Sequence, residues 1–406
     1  MDIRPILSTL RRHKTAAALI VLEIALTCAI VCNALFLIGQ RIETISQPSG
    51  IAEKELLEVR LGGIGKQVNA EARTREDLAA LRSVPGVKSV VPINQLPFRR
   101  NSWNTGLSLV PDQERQTLSA SQYFASEGTL DTMGLELIGG RDFQPDEYQN
   151  LESVIADNSL ESTGTSAILS QAAALKLFPD GSALGKTIYS GRQPLRVVGV
   201  VKELARPSKM DNDTRYSMIL PLRVTYVEGF YLIRVTDPAR RDEVLKAAVA
   251  ALEKVDPSRL VRAKRSYEEQ RNKYFANDRA MVGLLVTVCV ALLVVTALGI
   301  IGLASFWVQQ RTKQIGIRRA LGATRGQILR YFQTENFLLA TVGIVLGMLM
   351  AYSINLWLMN AYELPRMPIS YLPIGALLLW LLGQIAVFGP AHRAAAVPPA
   401  VATRSA

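Results

Sequence analysis

Residues 310–332 read QRTKQIGIRRALGATRGQILRYF, which places six lysines and arginines and no acid in one short stretch. A charge run of this kind can hold anionic lipid or a polyanion, and it can also mark the side of a membrane on which a loop is retained. Side chains suited to catalysis are scarce. His13 and His392 are the only histidines, and Cys28, Cys32 and Cys289 the only cysteines. None of these five lies between residues 41 and 279, so that region holds no zinc-ligand set, no thiol nucleophile and no Ser-His-Asp triad. Carboxylate pairs such as Glu268-Glu269 and Asp211-Asp213 read as solvated charge. The run GSALGKT at 181–187 looks like a phosphate loop, but its glycines enclose three residues where the phosphate-binding pattern has four; it reads as a glycine turn before a strand. No other ATPase signature occurs in the chain. No catalytic, cofactor-binding or metal-ligating residue is therefore expected.

The elements that position the basic run are apolar and long. Nothing charged lies between Arg279 and Arg311, or between Glu335 and Glu363. Residues 16–39, interrupted by Glu23, and 367–391 complete the set. About 20 apolar residues span a bilayer, so four transmembrane helices are expected, at 16–40, 280–308, 336–360 and 371–391. The first segment follows Arg11, Arg12 and Lys14 as a secretory signal would. It is too long for a signal core and lacks a small-x-small cleavage site, so it reads as an anchor.

Orientation follows from charge. The tail 1–15, the loop 309–335 and the tail 392–406 together hold twelve basic residues against Asp2 and Glu335, ten of the eleven net positive charges of the chain. Lys and Arg are retained on the cytoplasmic side, which puts both termini and the loop in the cytoplasm and residues 41–279 and 361–370 outside. The outer region is nearly neutral, which argues against nucleic-acid binding.

At about 240 residues the outer domain is large enough for its own core and two subdomains. Strand-like runs at 56–61, 87–92, 195–201, 229–235 and 259–264 alternate with helix-like runs at 75–82 and 240–255, which predicts a mixed α/β domain. Two βαβ-type halves are expected at about 41–120 and 196–265, with an inserted subdomain at about 121–195. Residues 40–46 and 266–279 are expected to prolong the first and second spans as a helical stalk. The fold class is thus an α-helical membrane protein with four transmembrane helices and a large α/β extracytoplasmic domain between helices 1 and 2. All three cysteines fall in spans, so the outer domain relies on packing without disulfides.

These residues resemble the MacB/FtsX-type permeases of ABC transporters. The run from Arg311 through Ile315-Gly316-Ile317, Arg318, Arg319 and Ala320-Leu321-Gly322-Ala323 resembles the basic signature after the second span of that family. LELIGGRDF at 135–143, TSAILSQAAALKLFP at 165–179, GSALGKTI at 181–188 and LRVVGVV at 195–201 resemble successive blocks of the MacB-type periplasmic core. The resemblance implies a permease of the bacterial inner membrane that pairs with a copy of itself or a paralogue. It also implies that a separate cytoplasmic ATPase, carrying ATP and Mg, binds on the loop. Closure of that ATPase would drive the outer domain to move a peptide, antibiotic or other amphipathic cargo, with a periplasmic adaptor and outer-membrane channel as further implied partners. Lipoprotein release and regulation of a wall hydrolase are the alternatives within the resemblance.

The resemblance assigns ATPase coupling to Arg311, Lys313, Ile315, Gly316, Ile317, Arg318, Arg319, Ala320, Leu321, Gly322 and Ala323. Residues 311–321 would continue the second span as a helix presenting Ile315, Ile317 and Leu321, with Gly322 ending it and Thr324 capping a second short helix over 325–334. The family usually carries Glu where Gln310 and Gln314 stand here, while Glu335 matches its usual carboxylate. Gly299, Gly302, Gly343 and Gly347 are small-residue steps suited to close helix contact. Glu23 is the one ionisable group inside a span, and a basic residue of the 311–334 loop is its expected partner.

Overall fold

The computed structural model describes residues 14–62, 69–156, 165–208, 215–362 and 366–396. His13, Asp211, Asp213 and the N-terminal arginines lie outside the described residues. In chain order the elements begin with helix α1 (Lys14–Ser46), strand β1 (Leu56–Gly62), helix α2 (Ala70–Arg82) and strands β2 (Val87–Ile93), β3 (Asn104–Leu107) and β4 (Leu118–Phe124). There follow α3 (Thr129–Met133), β5 (Leu137–Gly140), β6 (Gln149–Asn150), α4 (Leu151–Ala156), β7 (Thr165–Ser170) and α5 (Gln171–Leu177). Strands β8 (Thr187–Ser190), β9 (Gln193–Val201), β10 (Ser217–Leu220), β11 (Leu222–Arg223) and β12 (Phe230–Val235) lead to α6 (Arg241–Val255), β13 (Leu260–Ser266) and α7 (Tyr267–Tyr274). The chain then runs through α8 (Ala276–Gln310), α9 (Thr312–Ala320), α10 (Arg325–Tyr362) and α11 (Tyr371–Ala396).

Two units result, one made of Met1–Ser46 with Asn277–Ala406 and the other of Gln47–Ala276. In the second unit a four-stranded antiparallel sheet has the order β13-β1-β12-β2. Strand–helix–strand passages β1-α2-β2 and β12-α6-β13 build it, the split βαβ arrangement. Alternation along β1 puts Leu57, Val59 and Leu61 on one face, where they bury against Leu81 of α2 and Val244, Ala248 and Leu252 of α6. Asp77 of α2 is fully buried and accepts both terminal nitrogens of Arg259, at 2.6 and 2.7 Å, together with the Tyr231 hydroxyl at 2.5 Å. Burial and the neighbouring Asp77 raise the Tyr231 pKa, so the hydroxyl keeps its proton and donates.

The inserted subdomain is wider than 121–195. Strands β3, β4, β5, β7, β8, β9 and β10 form a seven-stranded sheet of order β3-β4-β10-β7-β9-β5, with β8 paired to β9, while β6 pairs with β11. Residues 104–107, 196–201 and 217–220, which fall within the expected βαβ halves, belong to this sheet, because β3 pairs with β4, β9 with β7, and β10 with both β4 and β7. A strand's own pattern reports its burial and leaves its partner open, which is why the boundary fell elsewhere. Glu268 pairs with Arg241, and Glu269 completes a capping box with Ser266 at the start of α7. Phe275 then caps α7 with φ −90° and ψ 10°, so 266–279 is not one continuous helical extension. Gly185, at φ +76°, turns the chain into β8, and Gly181 and Gly185 have open space where a Cβ would stand.

In the first unit α1, α8, α10 and α11 are each long and apolar enough to cross a membrane. α1 packs into α10: a Cβ on Gly343 would meet Ile24 at 2.9 Å, and one on Gly347 would meet Cys28 at 2.5 Å and the Ala25 carbonyl oxygen at 2.6 Å. These glycines let the backbones approach closely enough for Asn33 Nδ2 to donate to the Ala351 carbonyl at 3.1 Å. α8 meets α1 through the Thr27–Thr296 hydroxyl pair at 2.8 Å and the Arg41–Asp278 ion pair at 2.6 Å. Glu23 faces the same helix; its carboxylate oxygens lie 2.5 and 2.6 Å from where a Gly299 Cβ would be. Among the described residues no ion pair joins Glu23 to the basic loop, in place of the partner expected there. Gly302 has open space beside it.

Candidate functional site

The basic run folds as a bent elbow. α8 stops at Gln310, and Arg311, at φ −103° and ψ 9°, breaks the helix before α9 begins. The expected single helix from the second span through Leu321 is thus two helices. The Arg311 side chain turns inward, where its Nη1 donates to both oxygens of Glu335 at 3.0 and 2.9 Å and its guanidinium lies 5.6 Å from the centre of the Trp307 ring. Arg311 and Glu335 are both buried, and the pair joins the α8–α9 corner to α10. A buried pair of this kind holds its geometry because either charge alone would be costly in that environment.

α9 ends as its sequence dictates. Gly322 stands at φ +97°, a conformation that costs glycine little, and the amides of Ala323 and Gly322 return to the carbonyls of Arg318 and Arg319 at 3.0 and 3.1 Å. The next helix opens at once: Thr324 and Gln327 exchange side chain to backbone hydrogen bonds at 2.9 and 3.3 Å, a capping box. The short helix expected over 325–334 does not end there. α10 continues unbroken to Tyr362, since nothing between 334 and 336 interrupts its backbone hydrogen bonding.

α9 has two faces. Inward, Ile315 is buried with Trp307, Ile328 and Phe332, and Gly316 is buried beside it. Arg318 lies over the Tyr331 ring at 5.1 Å, and Arg319 Nη1 donates to the Ala395 carbonyl, at the end of α11, at 2.5 Å. Outward, Lys313 and Ala320 are exposed, Ile317 is 54 % exposed and Leu321 83 %. Positions 313, 317, 320 and 321 share one helical face, so a cation and two large aliphatic side chains point away from the protein together. The three aliphatic contacts expected to act together are therefore divided, with Ile315 as an anchor and Ile317 and Leu321 as a free edge. A crevice of about 320 Å³ lies between α9 and α10, with Gln314, Ala323, Gln327 and Tyr331 in its lining.

Trp307, Tyr331 and the Ala395 carbonyl are the contributors that sequence reading missed. The Thr324-x-x-Gln327 box was visible in the sequence, whereas the aromatic partners and the Ala395 contact depend on how separate helices pack. His392, the one described histidine, stacks on Phe388 at 6.0 Å.

Residues 17–251 match the MacB-like periplasmic core domain, and residues 286–399 match the FtsX-like permease C-terminal domain. YknZ of Bacillus subtilis, an uncharacterised ABC transporter permease, is 25% identical over 338 residues, 82% of this chain and 79% of its own. The macrolide export ATP-binding/permease protein MacB of Campylobacter jejuni is 24% identical over 410 residues, 97% of this chain but 59% of the relative. The crystal structure of the YknZ extracellular domain aligns with 51% of this chain at 20% identity and a TM-score of 0.33. The chain belongs to the ABC transporter permeases that join a MacB-like periplasmic core domain to an FtsX-like permease C-terminal domain.

Proposed function

We propose that this permease receives mechanical input from a separate cytoplasmic ATPase at the outward face of α9 and passes it to the extracytoplasmic domain, which moves a peptide, antibiotic or other amphipathic cargo. ATP and Mg sit on that ATPase. Both termini and the 309–335 loop are cytoplasmic, residues 41–279 lie in the periplasm, and a second protomer completes the transporter, with an adaptor and outer-membrane channel beyond it. The observation that carries this reading is the division of α9: one face fixed by Arg311, Ile315 and Arg319, the other exposing Ile317 and Leu321. An exposed pair of large aliphatic side chains on a short, firmly seated helix suits insertion into a groove of a partner. The anchors then make the elbow move as one body with α8, α10 and α11.

Affinity capture of the tagged chain from mild-detergent membranes tests the reading. An ABC-type ATPase is expected in the retained fraction of the wild type and absent from that of Ile317→Glu/Leu321→Glu. Equal retention by both, or no ATPase in either, overturns it.

A further inference from the structure

The helices α2 and α6 cover one face of the four-stranded sheet. Glu58 and Arg60 of β1 point to the other, as alternation requires, and Arg265 of β13 is in register with Glu58. On this side, beside α7, lies a cavity of about 580 Å³ whose lining includes Arg60, Arg99, Arg100, Arg265 and Lys273. Glu228 is the one acid in the lining, and it is turned to its own loop, accepting from the Thr225 amide at 2.9 Å. Glu58, fully buried beneath, pairs with Arg99 and lies 3.5 Å from Arg265. Five cations thus face two carboxylates.

The excess charge is held at a cost. Arg99 and Arg60 lie over the Phe230 ring at 4.5 and 5.2 Å, so both guanidiniums are partly withdrawn from water. Burial, followed by the like charges of Arg60 and Arg265, lowers the Arg99 pKa despite Glu58. The Nε atoms of Arg60 and Arg265 are buried and make no hydrogen bond among the described residues, although Arg265 Nε lies 3.5 Å from a Glu58 oxygen. Buried guanidinium donors left unused are unusual in a folded domain. A ligand offering several anionic oxygens would balance the charge, and the planar guanidinium fork matches phosphate geometry.

We propose that this cavity binds a phosphate group carried either on a small soluble molecule or on a lipid headgroup. The second source is favoured by sequence position, because Lys273 stands three residues before the start of α8. The proposal is independent of ATPase coupling, since every residue in it belongs to the extracytoplasmic unit.

The full chain in phosphatidylcholine nanodiscs would be titrated with inorganic pyrophosphate, following hydrogen exchange in 56–62 and 260–266. A parallel sample would use nanodiscs of equal parts phosphatidylcholine and phosphatidylglycerol without pyrophosphate. Saturable protection by pyrophosphate assigns a soluble ligand; protection by phosphatidylglycerol alone assigns the headgroup. In either case Arg60→Gln/Arg265→Gln should weaken the response by about tenfold or more. The exposed pair Arg100→Gln/Lys273→Gln, which leaves the sheet intact, should also weaken it. Absence of protection in both samples, equal protection by sodium chloride at matched ionic strength, or an unchanged response in Arg100→Gln/Lys273→Gln would overturn the proposal.

Discussion

Arg311 and Glu335 are 24 residues apart and meet through a single nitrogen shared between two carboxylate oxygens, at 3.0 and 2.9 Å, with Trp307 against the guanidinium. This contact fixes the angle between the α8–α9 corner and α10, and with it the direction in which α9 presents Ile317 and Leu321.

Removing one partner leaves a buried charge unpaired. Glu335→Gln or Arg311→Met should each destabilise the helical unit by about 3–5 kcal/mol, while Arg311→Met/Glu335→Leu should recover most of the loss. Thermal unfolding in detergent, read by tryptophan fluorescence, checks this. Equal destabilisation by the double variant would place the stabilising contact elsewhere.

Ile317→Glu/Leu321→Glu removes the exposed aliphatic edge and no anchor, so the unfolding temperature should change little while ATPase-stimulated transport is lost. Arg319→Glu is a different test, because its guanidinium holds the Ala395 carbonyl at the end of α11. That change should loosen the elbow itself and lower the unfolding temperature.

Gly347→Val places methyl groups against Cys28 and the Ala25 carbonyl, where a Cβ alone already comes within 2.5–2.6 Å. A cost of about 1–3 kcal/mol is expected for forcing α1 and α10 apart. Gly302→Val, on an open side of α8, should leave the unfolding temperature of the chain nearly unchanged. Comparable losses for the two variants would contradict the packing described above.

Glu147 is held at about 2, chiefly by hydrogen bonds from Arg141, with Ser166 and the Gln144 amide contributing. A carboxylate with a depressed folded pKa adds stability that is present above its ordinary value of 4.5 and is lost as pH falls toward 2. Arg141→Gln should therefore flatten the acid side of the stability profile between those limits. An acid limb as steep as that of the wild type would show that Glu147 contributes nothing to it.

The spans were legible because their apolar runs are too long for a signal core or an ordinary soluble helix, and the caps because Gly322 acts through its own backbone and Thr324 on an amide three residues away. The split βαβ strands were readable for the same reason: β1, β2, β12 and β13 carry their turn and burial patterns locally. The wider insertion was hidden because pairing of β9 with β7 is a choice between partners with similar patterns. The break at Arg311 was hidden too, since it depends on Glu335 in another helix. Neither Glu23 against Gly299 nor Arg319 on Ala395 could be read from spacing.

A photo-crosslinking amino acid at Leu321, irradiated in intact cells and followed by mass spectrometry of the adducts, tests the central claim most directly. A crosslink to an ABC-type ATPase is expected, and it should disappear when the probe is moved to the buried position Ile315. Adducts to lipid alone at Leu321, with no ATPase captured, would contradict it.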